Sequence, residues 1–125
     1  MQRRIEESKN HTASGMIVAV EDPFICRFLE ALLMPRGYAV MAAGASRAIE
    51  VLRAAAVPIV LITNAPGQFL EFAARVPLLY MAAAPDGLLA ARFRTCRVLR
   101  KPFHPQDLFS ALDELGEAGG AEAGG

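Results

Sequence analysis

The sequence predicts a single α/β domain in which a parallel five-stranded sheet is covered by helices on both faces. Three observations carry that expectation. The stretch Pro58-Ile59-Val60-Leu61-Ile62-Thr63-Asn64 is nearly unbroken in apolar, partly β-branched residues. It ends in an amide before Ala65-Pro66-Gly67, as a strand buried on both faces with Asn64 at its carboxyl end would. Four further short apolar runs alternate with segments of helical periodicity, the pattern of βαβ units with right-handed crossovers. A chain of 125 residues suits one domain whose core needs neither metal nor disulfide.

Residues 1–15 mix charges with Ser8, Asn10, Thr12 and Ser14 and lack an apolar core, so they read as a flexible leader rather than a secretory signal. The folded unit is expected over 16–116, and the Gly, Ala and Glu residues of 117–125 as a disordered tail. Ile17-Val18-Ala19-Val20 is a first strand closing on Glu21 and Asp22, with Asp22 suited to cap a helix that Pro23 begins. Ile25, Phe28, Leu29, Leu32 and Leu33 give that helix one buried stripe, and Pro35 and Gly37 end it. Tyr38 to Ala42 is a second strand. Gly44-Ala45-Ser46 then turns into a helix with Ser46 as its cap and Ala48, Val51, Leu52 and Ala55 inward.

After the central strand, Gln68 to Arg75 forms a shortened third helix with Phe69, Phe72 and Ala73 inward. Val76 to Met81 is a fourth strand, and Pro85 and Asp86 open a fourth helix reaching about Phe93. Cys96 to Leu99 is a fifth strand, and Pro105 starts a last helix with Leu108, Leu112 and Leu115 at helical spacing. The common arrangement at this size is flavodoxin-like and doubly wound, with strand order 2-1-3-4-5. Its switch point brings the ends of the first and third strands together, and with them Glu21, Asp22 and Asn64.

Composition narrows the function. A formal net charge of zero removes the global electrostatic argument for nucleic acid. No run approaches the roughly 18 apolar residues of a membrane span, so no membrane partner is expected and a cytoplasmic location is the default. Cys26 and Cys96 lack metal-ligand spacing and read as reduced, packed thiols. His11 falls in the leader and reads as solvated. There is no glycine-rich phosphate loop, no metal-spaced His pair and no Gly-x-Ser-x-Gly, so an enzyme is not expected.

From Met16 to Leu115 the chain resembles the receiver domain of two-component response regulators. The resemblance rests on Val20-Glu21-Asp22-Pro23 with Arg27 beyond it, Arg36-Gly37-Tyr38, the Pro58 to Asn64 strand with Pro66-Gly67 behind it, and Arg100-Lys101-Pro102-Phe103-His104-Pro105. It implies an acidic pocket at Glu21 and Asp22 that, with an Asp ending the third strand, holds Mg²⁺. It also implies a phosphoacceptor at that third-strand position, a Lys at 101 that bonds the phosphate, and a cis Lys101-Pro102 bond.

This chain departs from that pattern three times. Asn64 occupies the acceptor position, and an amide whose nitrogen lone pair is delocalised cannot attack phosphorus as a carboxylate does. Ala82 falls where the resemblance implies a switch hydroxyl, and Val98 where it implies a switch aromatic. A pseudo-receiver is therefore expected, a form that does not take part in a phosphorelay. Two carboxylates about 5 Å apart repel by roughly 3 kcal/mol at an effective dielectric near 20, a strain that a divalent ion or Lys101 relieves. Two readings stand: a satisfied, metal-free polar cluster of Glu21, Asp22, Asn64 and Lys101, or a weak Mg²⁺ site on Glu21 and Asp22.

Arg92, Phe93, Arg94, Arg97, Arg100 and Lys101 suggest either a solvated basic face or a docking patch for an acidic partner. The resemblance makes this face, with the last helix, a docking and dimerisation surface. It also makes the first helix and the loop at His104 a surface that meets histidine kinases and phosphotransfer domains. His104 itself reads as a helix cap or a partner contact. The expected function is a signalling module that binds a sensor histidine kinase, a phosphotransfer domain or another response regulator, as adaptor or inhibitor, with a homodimer as a further option. Two competing readings are a ligand- or metal-sensing domain using the degenerate pocket, and a live receiver phosphorylated on Glu21 or Asp22.

Overall fold

The computed structural model describes the backbone of residues 15–124 and the side chains of residues 15–116. Five parallel strands, β1 (Met16–Val20), β2 (Ala39–Ala42), β3 (Ile59–Thr63), β4 (Leu78–Ala82) and β5 (Cys96–Arg100), form one sheet in the order β2-β1-β3-β4-β5. The helices are α1 (Pro23–Leu33), α2 (Ala45–Ala54), α3 (Gly87–Ala90) and α4 (Pro105–Gly124), and a 3-10 segment, Pro66–Phe72, joins β3 to β4. This is the flavodoxin-like topology that the sequence predicts.

Because strand side chains alternate between faces, β1, β3, β4 and β5 each contribute to two separate cores, while β2 serves one. Ile17, Ala19, Ile62, Leu79, Met81 and Leu99 pack with Leu29 and Leu33 of α1 and Leu108, Leu112 and Leu115 of α4. Val18, Leu61, Leu78 and Tyr80 point the other way, onto Ala48 and Leu52 of α2 and onto Phe69 and Phe72. β3 lies between β1 and β4 and serves both layers, which is why its sequence is apolar without alternation.

The helix starts follow their capping chemistry. Asp22 Oδ1 accepts the Ile25 N–H at 3.0 Å, and Pro23 fills the first helical position of α1. Gly37, at φ 97°, ends the short 3-10 turn Met34–Arg36 in the left-handed conformation that glycine tolerates best. α2 starts two residues earlier than a Ser46 cap predicts, at Ala45, with Gly44 at the cap position and no side-chain cap. Glycine meets the extended geometry of the cap, and the chain forgoes the serine bond.

The largest differences lie between β3 and β5. The third helix contracts to the 3-10 segment, whose kink at Phe69 turns that ring, like Phe72, into the core. Arg53 of α2 forks onto both oxygens of Glu71, at 2.8 Å each, an exposed tie that contributes little. β4 starts two residues later than Val76 because Pro77 has no N–H for the ladder, although its carbonyl accepts from Leu61. The fourth helix is a single turn capped by Asp86, and the chain then turns so that Phe93 enters the core at 4% exposure.

The leader expected over 1–15 lies, apart from Gly15, outside the described residues. The backbone of α4 is helical to Gly124, whereas the sequence suggests disorder from 117. Turns already nucleated around Leu108, Leu112 and Leu115 propagate through the alanines and glutamates, which are good helix formers, against the cost of the interspersed glycines.

The two sheet edges differ in charge. β2 carries Ala39, Val40, Met41 and Ala42 with Ala39 and Ala42 exposed, while β5 carries Arg97 and Arg100.

Phe69, fully buried in a segment with no regular α-helix around it, sets how the 3-10 turn seats. Phe69→Ala is expected to cost about 3–5 kcal/mol in urea unfolding, with the sheet retained by circular dichroism. A loss below about 1 kcal/mol would show that the segment is not anchored by this ring.

Candidate functional site

Parallel pairing of β1 with β3 sets Val20 opposite Thr63, so Glu21 and Asn64 are the residues that leave the sheet side by side. Thr63 fastens the two strand ends. Its fully buried hydroxyl donates to the Val20 carbonyl at 3.0 Å and accepts from the Ala65 N–H at 3.1 Å. The sequence reading passed over Thr63 because a threonine ending an apolar strand carries no signal beyond β-propensity.

Glu21 turns inward. Its side chain has no solvent exposure, and Oε1 accepts from Lys101 Nζ at 3.1 Å. The lysine follows β5, whose neighbour β4 holds the Lys101 N–H through the Ala82 carbonyl at 2.9 Å, and it reaches back to the end of β1. Lys101-Pro102 is cis, as the resemblance implies. Among the described residues Glu21 Oε2 is buried with no hydrogen-bond partner. Burial accordingly raises the Glu21 pKa above its usual 4.5, against the opposing pull of the Lys101 bond and charge. Cys26, whose thiol is held up by burial and so stays protonated, donates to the Glu21 carbonyl at 3.4 Å and helps fix the backbone there.

The rest of the expected cluster is looser. Asp22 is exposed and spends Oδ1 on the α1 cap. Asn64 is exposed, and its amide makes no hydrogen bond to another described residue. The expectation of a satisfied polar cluster is therefore corrected: Glu21 and Lys101 pair directly, Asp22 and Asn64 sit beside them without joining, and one Glu21 oxygen is unsatisfied. Burying Glu21 while leaving its neighbours in solvent produces this division.

The Mg²⁺ site implied by the resemblance is not well matched by these donors. No group of three or more His, Cys, Asp or Glu side chains suited to a metal is assembled among the described residues. Oε1 of Glu21 already faces an ammonium, and a hard divalent cation draws on several oxygen ligands, preferably charged. The orphaned Oε2 is left without a compensating donor, and burial raises the Glu21 pKa accordingly.

Ala82 ends β4 half-buried, and Val98 on β5 is 47% exposed. The expected basic patch does not form a single surface. Phe93 is buried in the core, a correction to its reading as a surface residue, because the chain after the one-turn α3 directs the ring inward. Arg97 faces α4, where it pairs with Glu114 at 2.9 Å. Arg100, an odd number of residues along the same strand, projects to the opposite face and donates to the Ala83 carbonyl at 3.3 Å. Arg92 and Arg94 are exposed beyond α3.

His104 caps α4: its Nδ1 accepts the Gln106 N–H at 3.2 Å, and Asp107 returns the bond to the His104 N–H at 3.4 Å.

Sequence reasoning also missed a cleft of about 430 Å³ between α1 and the loop after β5, lined by Phe24, Ile25, Phe28, Ala83, Lys101, Pro102 and Phe103. Phe28 was expected to face the core, but it is 36% exposed, and Phe24 is 73% exposed. The only available signal is that Phe24 lies one position outside the buried stripe of α1.

No protein-family model and no curated protein matches this chain. Solved structures do. The signal receiver domain of an HD domain-containing protein from Pseudomonas fluorescens Pf-5 is 22% identical, with 89% of this chain and 93% of that one covered and a TM-score of 0.72. The chemotaxis protein CheY4 of Vibrio cholerae is 20% identical over 81% of this chain and 98% of its own, with a TM-score of 0.64. The anti-anti-sigma factor PhyR from Bartonella quintana is 17% identical over 98% of this chain and 56% of its own, with a TM-score of 0.63. The chain therefore has the fold of receiver domains.

Above its usual pKa a buried acid must ionise without full compensation. The contribution of Glu21 to stability is thus greatest below pH 4.5 and is lost as pH rises through the raised folded value. Glu21→Gln removes this loss. Urea unfolding at pH 4 and pH 7 is expected to show the variant gaining on the wild type at the higher pH, and a gain at the lower pH instead would contradict the burial argument.

Proposed function

We propose that this chain is a signalling module of receiver fold that works without accepting a phosphoryl group. The observation that carries the reading is the amide of Asn64 at the end of β3, beside a Glu21 already neutralised by Lys101. Attack on phosphorus needs an electron-rich oxygen, and the amide at this position supplies none. Ala82 and Val98 add nothing that could relay a change at the pocket to the surface, since neither a hydroxyl nor a rotating ring stands there.

In this reading the ion pair of Glu21 with Lys101 holds the carboxyl edge of the sheet in one state, with no need for Mg²⁺. Output then comes from protein contact. The partner is a sensor histidine kinase, a phosphotransfer domain or another response regulator, met as adaptor or inhibitor, in keeping with a structural neighbour that is a two-component response regulator from Clostridium difficile. The contact surface is the exposed side of α1 with the loop at His104, or Arg92 and Arg94 beyond α3. A self-associated form would use the β5–α4 side.

Incubation with acetyl phosphate and Mg²⁺, followed by intact mass, is expected to show no phosphoryl adduct. An adduct abolished by Glu21→Gln or Asp22→Asn would revive a live receiver with a different acceptor. Asn64→Asp adds the third acid and is expected to introduce Mg²⁺ binding, read as a thermal shift. It should do so without a conformational response to beryllofluoride, because Ala82 and Val98 remain. Large amide shifts around α3 and β5 in that variant would overturn the claim that the relay itself is absent.

A further inference from the structure

β2 closes one end of the sheet, and the hydrogen bonds around it show which of its backbone groups are already spent. The Ala43 N–H donates to the Ala19 carbonyl of β1 at 3.0 Å, so Ala43, and with it Met41 and Ala39, turn their backbone groups toward β1. Val40 and Ala42 therefore turn theirs outward, and among the described residues nothing bonds to them. The positions beyond are occupied. The Tyr38 N–H donates to the Leu33 carbonyl at 3.3 Å, and the Gly44 carbonyl accepts from the Ala48 N–H at 2.9 Å. What stands open is thus two donors and two acceptors, placed evenly about Met41.

Such an edge is complementary to itself. When two copies run antiparallel with Met41 opposite Met41, Val40 of each faces Ala42 of the other, and every open N–H meets an open carbonyl. Moving the centre to Val40 or to Ala42 brings Tyr38 or Gly44 into the pairing, each with one group already bonded. Charge does not oppose the match, because residues 37–46 carry none and Arg36, just outside, holds its guanidinium 3.7 Å over the Phe109 ring. Ala39 and Ala42, the exposed side chains of the strand, are single methyl groups. A longer foreign strand would find no N–H at Tyr38 and no carbonyl at Gly44 to hold its ends, whereas a second copy offers the same short uncharged segment.

We propose that β2 pairs with β2 of a second copy of this chain, antiparallel about a twofold axis at Met41, so that two sheets join into one. The contact is closed: it consumes the edge that makes it, and both outer ends of the joined sheet are then β5 with Arg97 and Arg100. Four strand residues per chain bury less than the roughly 1,200 Å² of a stable interface, so the pair is weak, dissociating at roughly 100 µM. The proposal goes beyond the phosphorylation-independent reading and does not depend on it, because Asn64 takes no part and the β5–α4 side lies at the opposite end of the sheet.

Sedimentation equilibrium of the full chain from about 10 µM to about 1 mM is expected to show the mass rising from one chain to two and no further. Ala42→Pro removes an outward N–H that β1 does not use, so circular dichroism should be unchanged while pairing weakens about tenfold or more, two of the four bonds being lost. Ala42→Lys sets a like charge on each copy near the axis and should weaken pairing as well, which keeps the test informative if the proline variant does not fold. Cross-linking reads the register. With Met41→Cys the two Cα atoms stand about 4.5 Å apart, and mild oxidation with diamide should link the chains. Ala39→Cys, which falls opposite Ala43, and the wild type with its free Cys26 and Cys96 should not link. A single-chain mass up to the highest concentration would overturn the proposal, as would growth beyond two chains or an Ala39→Cys dimer formed as readily as the Met41→Cys one. So would an association that survives both Ala42 variants and is lost on Arg97→Glu, which would place it on the β5–α4 side. The acetyl phosphate experiment reads out separately, so failure of either idea leaves the other standing.

Discussion

Burying a carboxylate is costly unless something pays back its lost hydration, and the organisation of this molecule's carboxyl edge follows from how Glu21 meets that demand. Lys101 supplies half of the answer by crossing from the end of β5 to the end of β1, so one ion pair ties together strands that are not neighbours in the sheet. The other half is left open, since Oε2 has no partner and the acid is easier to protonate as a result. The Cys26 thiol on the Glu21 carbonyl and the Thr63 hydroxyl between β1 and β3 both hold the backbone around this pair. Asp22 is released to cap α1, and Asn64 is left in solvent.

That arrangement gives the resemblance to receivers a physical content. A carboxylate cluster that must hold a divalent cation keeps several acids close and pays for their repulsion until the ion arrives. Here the repulsion is smaller, because Asn64 is an amide and Glu21 is paired with an ammonium, although the charge of Asp22 still acts on Glu21. The scaffold around it, five strands in the order β2-β1-β3-β4-β5, is fully retained. A fold is a platform and function resides in the residues placed on it, so the shared topology by itself carries no chemistry.

The strands were legible because burial on one or both faces writes itself into local sequence: Ile59 to Thr63 without alternation, Leu108, Leu112 and Leu115 at helical spacing. Asp22 and Asp86 were legible as caps for the same local reason. What escaped depends on contacts distant in sequence. Phe93 looks like part of an arginine-rich surface until the turn after α3 is known, and Arg97 and Arg100 look adjacent until strand alternation sends them to opposite faces. At the site, the residues could be named from the motifs, but which of them touch could not. Lys101 reaches Glu21 across eighty positions of sequence, and the orphaned oxygen it leaves is a property of packing alone.

The unequal guarding of the two sheet edges has a consequence for how the molecule behaves in a crowd. An edge strand offers unpaired backbone donors and acceptors to any passing strand, and charged side chains are the usual deterrent. β5 carries two guanidinium groups, whereas from Tyr38 to Gly44 the β2 side carries none. Ladder extension between chains therefore meets electrostatic resistance on one flank and almost none on the other, so β2 is the side from which concentrated or partly unfolded material would begin to associate.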